Sequence, residues 1–268
     1  IFMKRFFYIL ITFTILSSCN EYQKALKSED IATKFKMGED YYNQGKWAKA
    51  NKLFALIVPN YRGKPQAEKL MYLYSNSFYQ MKDYYVAGYQ FERFASSYPK
   101  SEKLEEASFL SAKSYYMLSP VYSKDQKETV EAIEKLQTFI NLFPESEYLS
   151  EASKLVQELD FKLEKKAFEI AKQYDLIKDY KASVKSFNNF LVDFPGSTLK
   201  KEALYYRFDA EYHLAMLSVK RLKEERLNTA ISYYNTLKKA FPNSEYMEDA
   251  TRMKDQLQQQ LDTFTTKS

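Results

Sequence analysis

The sequence has 268 residues, of which 45% are hydrophobic, 17% aromatic and 28% charged. Only 5 glycines and 7 prolines are present, which argues against glycine-rich phosphate-binding loops and against β folds with many turns. The net charge of +5 comes from basic and acidic residues that are interspersed along the chain. We therefore interpret the charges as solvated faces and expect no nucleic-acid partner.

Residues 1–18 have the layout of an export signal. The stretch MKR (3–5) is basic, and the apolar run FFYILITFTI (6–15) is shorter than the roughly 20 residues that a spanning helix needs. The first two residues, IF (1–2), do not belong to such a signal, which suggests that the true start is Met3. We interpret residues 1–18 as a lipoprotein signal peptide.

The only cysteine, Cys19, directly follows the string LSS (16–18). This arrangement resembles the bacterial lipobox, which implies cleavage before Cys19 and a diacylglyceryl group on its thiol. Apart from this covalent lipid we expect no cofactor. The alternative is an ordinary cysteine behind a cleaved signal. Asn20 is not the aspartate that retains many lipoproteins at the inner membrane, so we favour the outer membrane, with residues 19–30 as a flexible lipid-anchored tether.

A repeated string divides the rest of the chain. It reads aromatic-Pro-x-Ser-x5-Ala, and its prolines are 45, 51 and 47 residues apart. The four copies are YPKSEKLEEA (98–107), FPESEYLSEA (143–152), FPGSTLKKEA (194–203) and FPNSEYMEDA (241–250). The proline should end one helix, and the serine can N-cap the next.

Upstream of each proline the register continues at helical spacing. Twelve residues before it stands a small residue, and eight and five residues before it stand large apolar ones. Spacings of four and three place these residues on one helical face. The sets are Ala87, Phe91 and Phe94; Ala132, Leu136 and Phe139; Ser183, Phe187 and Phe190; Ala230, Tyr234 and Leu237. We predict that they form the core and assign them no function.

A fifth, degenerate copy lies near the start, where the turn Gly45-Lys46-Trp47 aligns with Lys82-Asp83-Tyr84 at an offset of 37 residues. The pattern resembles the tetratricopeptide repeat (TPR), and Lys178-Asp179-Tyr180 repeats the same turn. The resemblance covers residues 31–262, with a tail at 263–268. It implies an all-α fold, an α-solenoid of five TPR-like helix hairpins that form a right-handed superhelix.

Lipobox, length and repeat count together resemble the BamD (YfiO/ComL) family, the lipoprotein of the outer-membrane β-barrel assembly machine. The resemblance implies a non-enzymatic subunit that is lipid-anchored at the periplasmic face of the outer membrane. It also implies two partners: the POTRA region of a BamA-like barrel protein, bound by the C-terminal repeats, and unfolded outer-membrane proteins, received in a groove of the N-terminal repeats.

Residues that could serve these partners come from the predicted first helices of the repeats and, for Lys220 and Arg221, from the helix end or turn that follows. Aromatic side chains can hold an extended precursor, and we select Tyr41, Tyr74 and Tyr79 for the groove, with burial in the core as the alternative. Charged side chains can set the register of a polar interface. For this role we select Arg207, Asp209, Lys220 and Arg221, with simple solvation as the alternative.

We predict that the chain is not an enzyme. The single histidine, His213, lies in the string AEYHLAM without a catalytic partner nearby, and we interpret it as structural. The sequence contains no HExxH, GxSxG or P-loop motif and no cluster of metal ligands, so we expect no metal site. A second functional hypothesis is an envelope TPR scaffold for cell-wall or division proteins.

Overall fold

The computed structural model describes residues 21–61 and 63–265, and in these ranges the chain is helical without any strand. A short helix at residues 21–27 comes first, and a 3₁₀ turn at Val58–Tyr61 follows α2. The remaining helices are α1 (Ile31–Asn43), α2 (Trp47–Ile57), α3 (Ala67–Gln80), α4 (Tyr84–Ser97), α5 (Leu104–Leu118), α6 (Lys127–Leu142), α7 (Leu149–Leu176), α8 (Tyr180–Asp193), α9 (Lys200–Met216), α10 (Lys220–Ala240) and α11 (Met247–Thr265).

The helices pack in consecutive pairs within two compact units. Unit 1 comprises the chain up to Pro120 together with residues 126–159, and it contains the hairpins α1/α2, α3/α4 and α5/α6. Unit 2 comprises residues 121–125 and the chain from Asp160, and it contains α8 with the second part of α7, the hairpin α9/α10, and α11. These pairs confirm the predicted all-α fold of TPR-like hairpins, while the right-handed superhelix stays a prediction.

The repeated sequence positions form the core, as predicted. In the second hairpin, Ala87, Phe91 and Phe94 are all fully buried, and the equivalent residues of the other repeats are no more than 4% exposed. Each second helix ends two residues before its proline, because proline has no amide for the helix ladder and restricts the residue before it. The small residue lets the paired helices approach, and the aromatic ring fills the space beside it.

The repeated serine has a different role from the predicted helix N-cap. The Ser101 hydroxyl oxygen accepts a hydrogen bond from the amide of Lys103 at 3.0 Å, one turn before α5 begins. The same bond recurs at the other three serines, Ser146, Ser197 and Ser244. The Ser101 hydroxyl also donates to the Glu68 carboxylate of α3 at 2.5 Å. All four serines therefore stabilise the turn after the proline, and Ser101 also connects that turn to the preceding repeat.

Three helix–helix turns adopt the same unusual backbone conformation. Gly45, Lys82 and Lys178 all have positive φ angles, of 70°, 63° and 62°. They occupy equivalent positions in the three turns that align in the sequence. A left-handed residue lets the chain reverse within a short turn, and it costs a lysine about 1 kcal/mol that glycine does not lose.

Both ends of the predicted array differ from the sequence-based boundaries. Residues 21–27 were predicted to be a flexible tether, but they form a helix in which Tyr22 and Ala25 are buried, at 7% and 3% exposure. Their apolar side chains cover the first hairpin, which would otherwise expose apolar surface. The last helix continues to Thr265, past the expected boundary at residue 262. The predicted signal peptide, residues 1–18, and Cys19 lie outside the described residues.

Gly38 marks the closest approach in the first hairpin. A Cβ atom at this position would lie 2.5 Å from the Cε1 atom of Phe54, a fully buried ring of α2. We expect Gly38→Ala to lower the free energy of unfolding by about 1–2 kcal/mol, because the steric cost exceeds the roughly 1 kcal/mol that alanine gains in a helix. Urea denaturation should measure this loss. Gly196→Ala is the control, since a Cβ there meets nothing within 4 Å, and an equal effect of both changes would contradict the packing argument.

Candidate partner-binding surfaces

The three tyrosines selected for a groove lie in unit 1 and are in different environments. Tyr74 is half-buried and its ring packs edge-on against Phe78, with 4.9 Å between ring centroids. Tyr79 is also half-buried and packs against Tyr84 at 5.5 Å. Both rings keep part of their surface exposed and remain available to a bound chain.

Tyr41 does not face a groove. It is only 7% exposed and belongs to the core of the first hairpin. The helix at residues 21–27 covers it, since the ring of Tyr22 packs edge-on against it at 5.3 Å. The selection of Tyr41 for substrate contact was therefore wrong, because no sequence pattern indicates that the segment before α1 packs on it.

A recess of about 590 Å³ lies beside Tyr61 in unit 1. It is lined mainly by apolar and aromatic side chains from the 3₁₀ turn, from α3 and from the end of α4, among them Val58, Met71 and Tyr98. Among the described residues of its lining, only Arg93 is charged. Such a recess can take an apolar or aromatic side chain of a peptide.

Phenolic hydroxyl groups connect successive first helices in unit 1. Tyr42 of α1 donates to Asn76 of α3 at 2.7 Å, and Tyr72 of α3 donates to the Glu106 carboxylate of α5 at 2.5 Å. Tyr116 of α5 donates to Glu158 of α7 at 2.6 Å. These polar groups are engaged within the fold, so they position neighbouring repeats and are not free for a partner.

Burial and hydrogen bonding shift the pKa values of these groups. Burial raises the pKa of Tyr42 to about 12, and burial together with the Glu106 carboxylate raises the pKa of Tyr72 further. Burial also acts to raise the pKa of Glu106, but hydrogen bonds from Lys103 and Tyr72 outweigh it and hold the pKa below the ordinary value. Tyrosine hydroxyls thus remain protonated donors and Glu106 remains a charged acceptor at neutral pH.

The charged residues selected for an interface lie in unit 2, but the structure does not bring them together. Arg207 stacks on the Tyr233 ring, 4.0 Å from its centroid, and donates to the Asn188 side chain at 3.1 Å. Burial lowers the pKa of Arg207, and its buried Nε atom has no hydrogen-bond partner in the described part of the chain. Arg207 therefore packs among α8, α9 and α10 and offers little charge to a partner.

Asp209 belongs to an aspartate–histidine cluster with Asp175, Tyr180 and His213. The carboxylate of Asp209 lies 3.6 Å from His213 Nε2, and the His213 ring stacks on Tyr180 at 4.9 Å. Burial raises the pKa of Asp209 to about 6, the positive charge of His213 opposes this, and the negative charges of Asp175 and Asp249 add to it. The cluster holds more carboxylates than its surroundings neutralise, so it can accept a cationic side chain.

His213 is less enclosed than the sequence suggested. Its side chain is 41% exposed, so it is not a core histidine. One neighbour in the cluster is also incompletely satisfied, since the buried Oδ1 atom of Asp175 has no hydrogen-bond partner within the described residues. The cluster can bind a partner through charge and hydrogen bonds.

Lys220 and Arg221 are the first two residues of α10, and we use the name α9–α10 turn for residues 217–221, which include them. Both are exposed, and so are two apolar residues of the same turn, Leu217 at 75% and Val219 at 65%. Nearby bonds hold the turn in place: Lys223 donates to the Met216 carbonyl and Arg226 donates to the Ser218 hydroxyl. A fixed turn that presents two apolar and two basic side chains has the composition of a protein-binding surface.

Neither a metal-binding cluster of histidine, cysteine and acidic side chains nor a helix suited to cross a bilayer occurs in residues 21–61 and 63–265.

The comparison with known families agrees with the repeat pattern. The model of the YfiO family, described as outer membrane lipoprotein, matches residues 28–227. The chain belongs to the YfiO family. This confirms the family resemblance on which the sequence analysis relied.

Three curated relatives of this YfiO-family chain carry related names. Over 220 residues the chain is 28% identical to the putative outer membrane protein assembly factor BamD of Aquifex aeolicus, covering 81% of this chain and 71% of the relative. It is 26% identical over 226 residues to outer membrane protein assembly factor BamD of Rickettsia prowazekii, covering 83% of this chain and 85% of the relative. It is 22% identical over 219 residues to the protein of that name from Caulobacter vibrioides, covering 82% and 68%.

The YfiO match includes most of the surfaces described above. It spans α1 to α9, the half-buried Tyr74 and Tyr79, and the α9–α10 turn. Leu217 and Val219 were not predicted, because no repeat position marks them. The tyrosine bonds between first helices were not predicted either, although Tyr42–Asn76 and Tyr72–Glu106 share a separation of 34 residues. Pairing polar and aromatic residues at that spacing could have found both bonds.

Proposed function

We propose that this YfiO-family chain acts in outer membrane protein assembly, as a non-enzymatic subunit of the β-barrel assembly machine. The observation that carries the proposal is the similarity to three relatives named outer membrane protein assembly factor BamD, each covered over at least 68% of its length. The family description as outer membrane lipoprotein supports an association with the outer membrane.

The lipid anchor is part of the proposal. The YfiO match begins at residue 28, so it does not include Cys19, and the argument for acylation is the lipobox LSSC (16–19). Acylation would anchor the chain at the periplasmic face of the outer membrane. Several acyl chains hold a protein on a bilayer far more firmly than one does.

Unfolded barrel precursors are the proposed substrate of unit 1. Such chains are extended and carry alternating aromatic side chains, which can stack on Tyr74 and Tyr79 and enter the recess beside Tyr61. The exposed parts of both tyrosine rings and the apolar lining of the recess support this assignment. Tyr41 is no longer a candidate, because it is buried.

The POTRA region of a BamA-like barrel protein is the proposed partner of unit 2. The α9–α10 turn supports this assignment, since Leu217 and Val219 can supply apolar contact while Lys220 and Arg221 supply charge. The aspartate–histidine cluster can complement a basic side chain of the partner. Together these features supply the apolar centre and polar rim that protein interfaces share.

Copurification tests the proposal. A tag after Ser268 allows the chain to be purified from detergent-solubilised envelopes, with protein identification by mass spectrometry. We expect a POTRA-containing barrel protein in near-equal amount and an N-terminal peptide that begins with acylated Cys19. We expect the charge reversal K220E/R221E to reduce the retained barrel protein by about tenfold, because opposite charges across an interface become like charges.

The matched control is K238E/K239E, which makes the same charge change at the other end of α10, where both lysines are exposed. It should retain the partner. Equal losses in both variants would remove the α9–α10 turn from the interface. Copurification of only cell-wall or division proteins would overturn the assembly role in favour of an envelope scaffold.

A further inference from the structure

The helix at residues 21–27 is fixed to the first hairpin. Tyr22 and Ala25 are buried, and Tyr22 packs edge-on against Tyr41 of α1. Lys49 of α2 lies over both rings, with its Nζ atom 5.2 Å from each centroid. Two aromatic rings and a cation thus hold this segment against α1 and α2.

This packing limits how far the lipid anchor can be from the hairpin. Only three peptide units separate Cys19 from Tyr22, and three units span at most about 11 Å. Whatever the conformation of those units, an acylated Cys19 would bring the start of α2 close to the bilayer surface. The predicted flexible tether, residues 19–30, is therefore replaced over residues 21–27 by a helix.

The surface around this point carries a local excess of positive charge. We define the basic N-terminal face as residues 21–27 and 46–52, which contain five lysines and one glutamate, a net charge of +4. Residues 19–268 carry a net charge of +3, since residues 1–18 hold two basic residues and no acidic one. The remainder of that chain is therefore slightly negative, and the basic N-terminal face is a local excess of charge.

The lysines of this face are available to a partner. Lys24, Lys27, Lys46 and Lys52 are exposed. Within the described residues none of the five lysines forms an ion pair with a carboxylate, whereas lysines elsewhere, such as Lys69 with Glu39 and Lys113 with Glu151, do so. A surface without internal carboxylate partners is suited to external anions.

We propose that the basic N-terminal face lies on the bilayer that holds the acyl chains and that its lysines contact anionic phospholipid headgroups. The acyl chains then supply retention, and the lysines orient the first hairpin on the membrane. The inference deepens the proposed function, because it rests on acylation of Cys19 for the position of the face. Each lysine near an anionic surface contributes about fivefold in binding.

Vesicle binding tests the face without acylation. The probe is the chain from residue 19 to Ser268 with Cys19→Ser, titrated with vesicles that carry a dansyl headgroup label. Trp47 is the only tryptophan and lies within the face, so energy transfer from Trp47 to dansyl reports contact. We expect transfer with vesicles that contain phosphatidylglycerol, little with pure phosphatidylcholine, and a loss of transfer at high salt.

Two double variants decide whether the basic N-terminal face or the overall charge of the chain is responsible for binding to anionic vesicles. K46Q/K52Q should raise the lipid concentration for half-maximal transfer by about 25-fold, because each of the two lysines contributes about fivefold to binding. K238Q/K239Q removes the same charge from α10 and should change it less than about twofold. Equal effects of both variants, equal binding to neutral vesicles, or no transfer to anionic vesicles would each overturn the inference. Because the probe carries no lipid and no partner, these outcomes are independent of the copurification result.

Discussion

Replacing Phe91 by alanine is expected to lower the free energy of unfolding by about 4 kcal/mol. Phe91 is fully buried in α4 and packs in a cluster with Ala87, Phe94 and Ala107, which are fully buried as well. The Tyr72 ring lies edge-on at 6.1 Å and is held by its bond to Glu106, so it cannot easily move into the space left by the phenyl ring. Urea denaturation followed by circular dichroism should measure the loss.

Tyr85→Ala is the matched control for this prediction. Tyr85 lies on the same helix but is 73% exposed, so its truncation should change stability by no more than about 0.5 kcal/mol. If Phe91→Ala were as mild as the control, the repeated aromatic position would not be the core of the hairpin. A loss near 4 kcal/mol is a large part of the usual free energy of unfolding of a domain, about 5–15 kcal/mol, so the substitution should destabilise much of unit 1.

Glu211→Gln is expected to stabilise the protein at pH 8 by about 2 kcal/mol. Glu211 of α9 is only 4% exposed, and burial raises its pKa to about 7, although Arg226 opposes the shift. Between pH 4.5 and 7 the folded chain therefore keeps a proton that the unfolded chain has lost. Stability falls as pH rises through this window, and the cost of the buried charge is fully present above pH 7.

Glutamine has the same shape and no charge, so the variant should lose this pH dependence. Urea denaturation at pH 5 and pH 8 should show a small difference between the two proteins at pH 5 and the full difference at pH 8. Glu224→Gln on the exposed side of α10 is the control and should have little effect at either pH. A Glu211→Gln protein that is less stable at pH 8 would show instead that Glu211 works mainly as the ionic partner of Arg226.

The helix hairpins could be predicted because the information is local and repeated. Proline ends a helix, and spacings of four and three define one helical face. Pro99 could therefore be predicted as a helix end, and Ala87 and Phe91 as core residues. The three turns could be aligned in the sequence, but their left-handed backbone conformation could not be predicted, because lysines such as Lys82 and Lys178 do not favour a positive φ. Here the packing of two helices overrides the preference of the turn residue.

The surfaces were harder to predict because they depend on contacts between distant segments. The local sequence around Tyr41 predicts an exposed tyrosine in a groove, and Tyr41 is a core residue only because the helix at residues 21–27 covers it. Arg207 and Asp209 read as one charged stretch, but two residues apart on a helix they point to different neighbours, Tyr233 and His213. The exposure of Leu217 and Val219 could not be predicted, because an apolar residue in a short turn could equally be buried.

The helix at residues 21–27 and α11 have a consequence for self-association. A stack of hairpins buries each one against the next, so its first and last members would present bare apolar faces. In unit 1 the first of these faces is covered by Tyr22 and Ala25, and in unit 2 the last is covered by Met253 and Leu257 of α11. Without such caps, the end of one molecule would match the beginning of another, and head-to-tail contacts that never close produce filaments. Both helices thus remove an apolar face that such head-to-tail contacts would need.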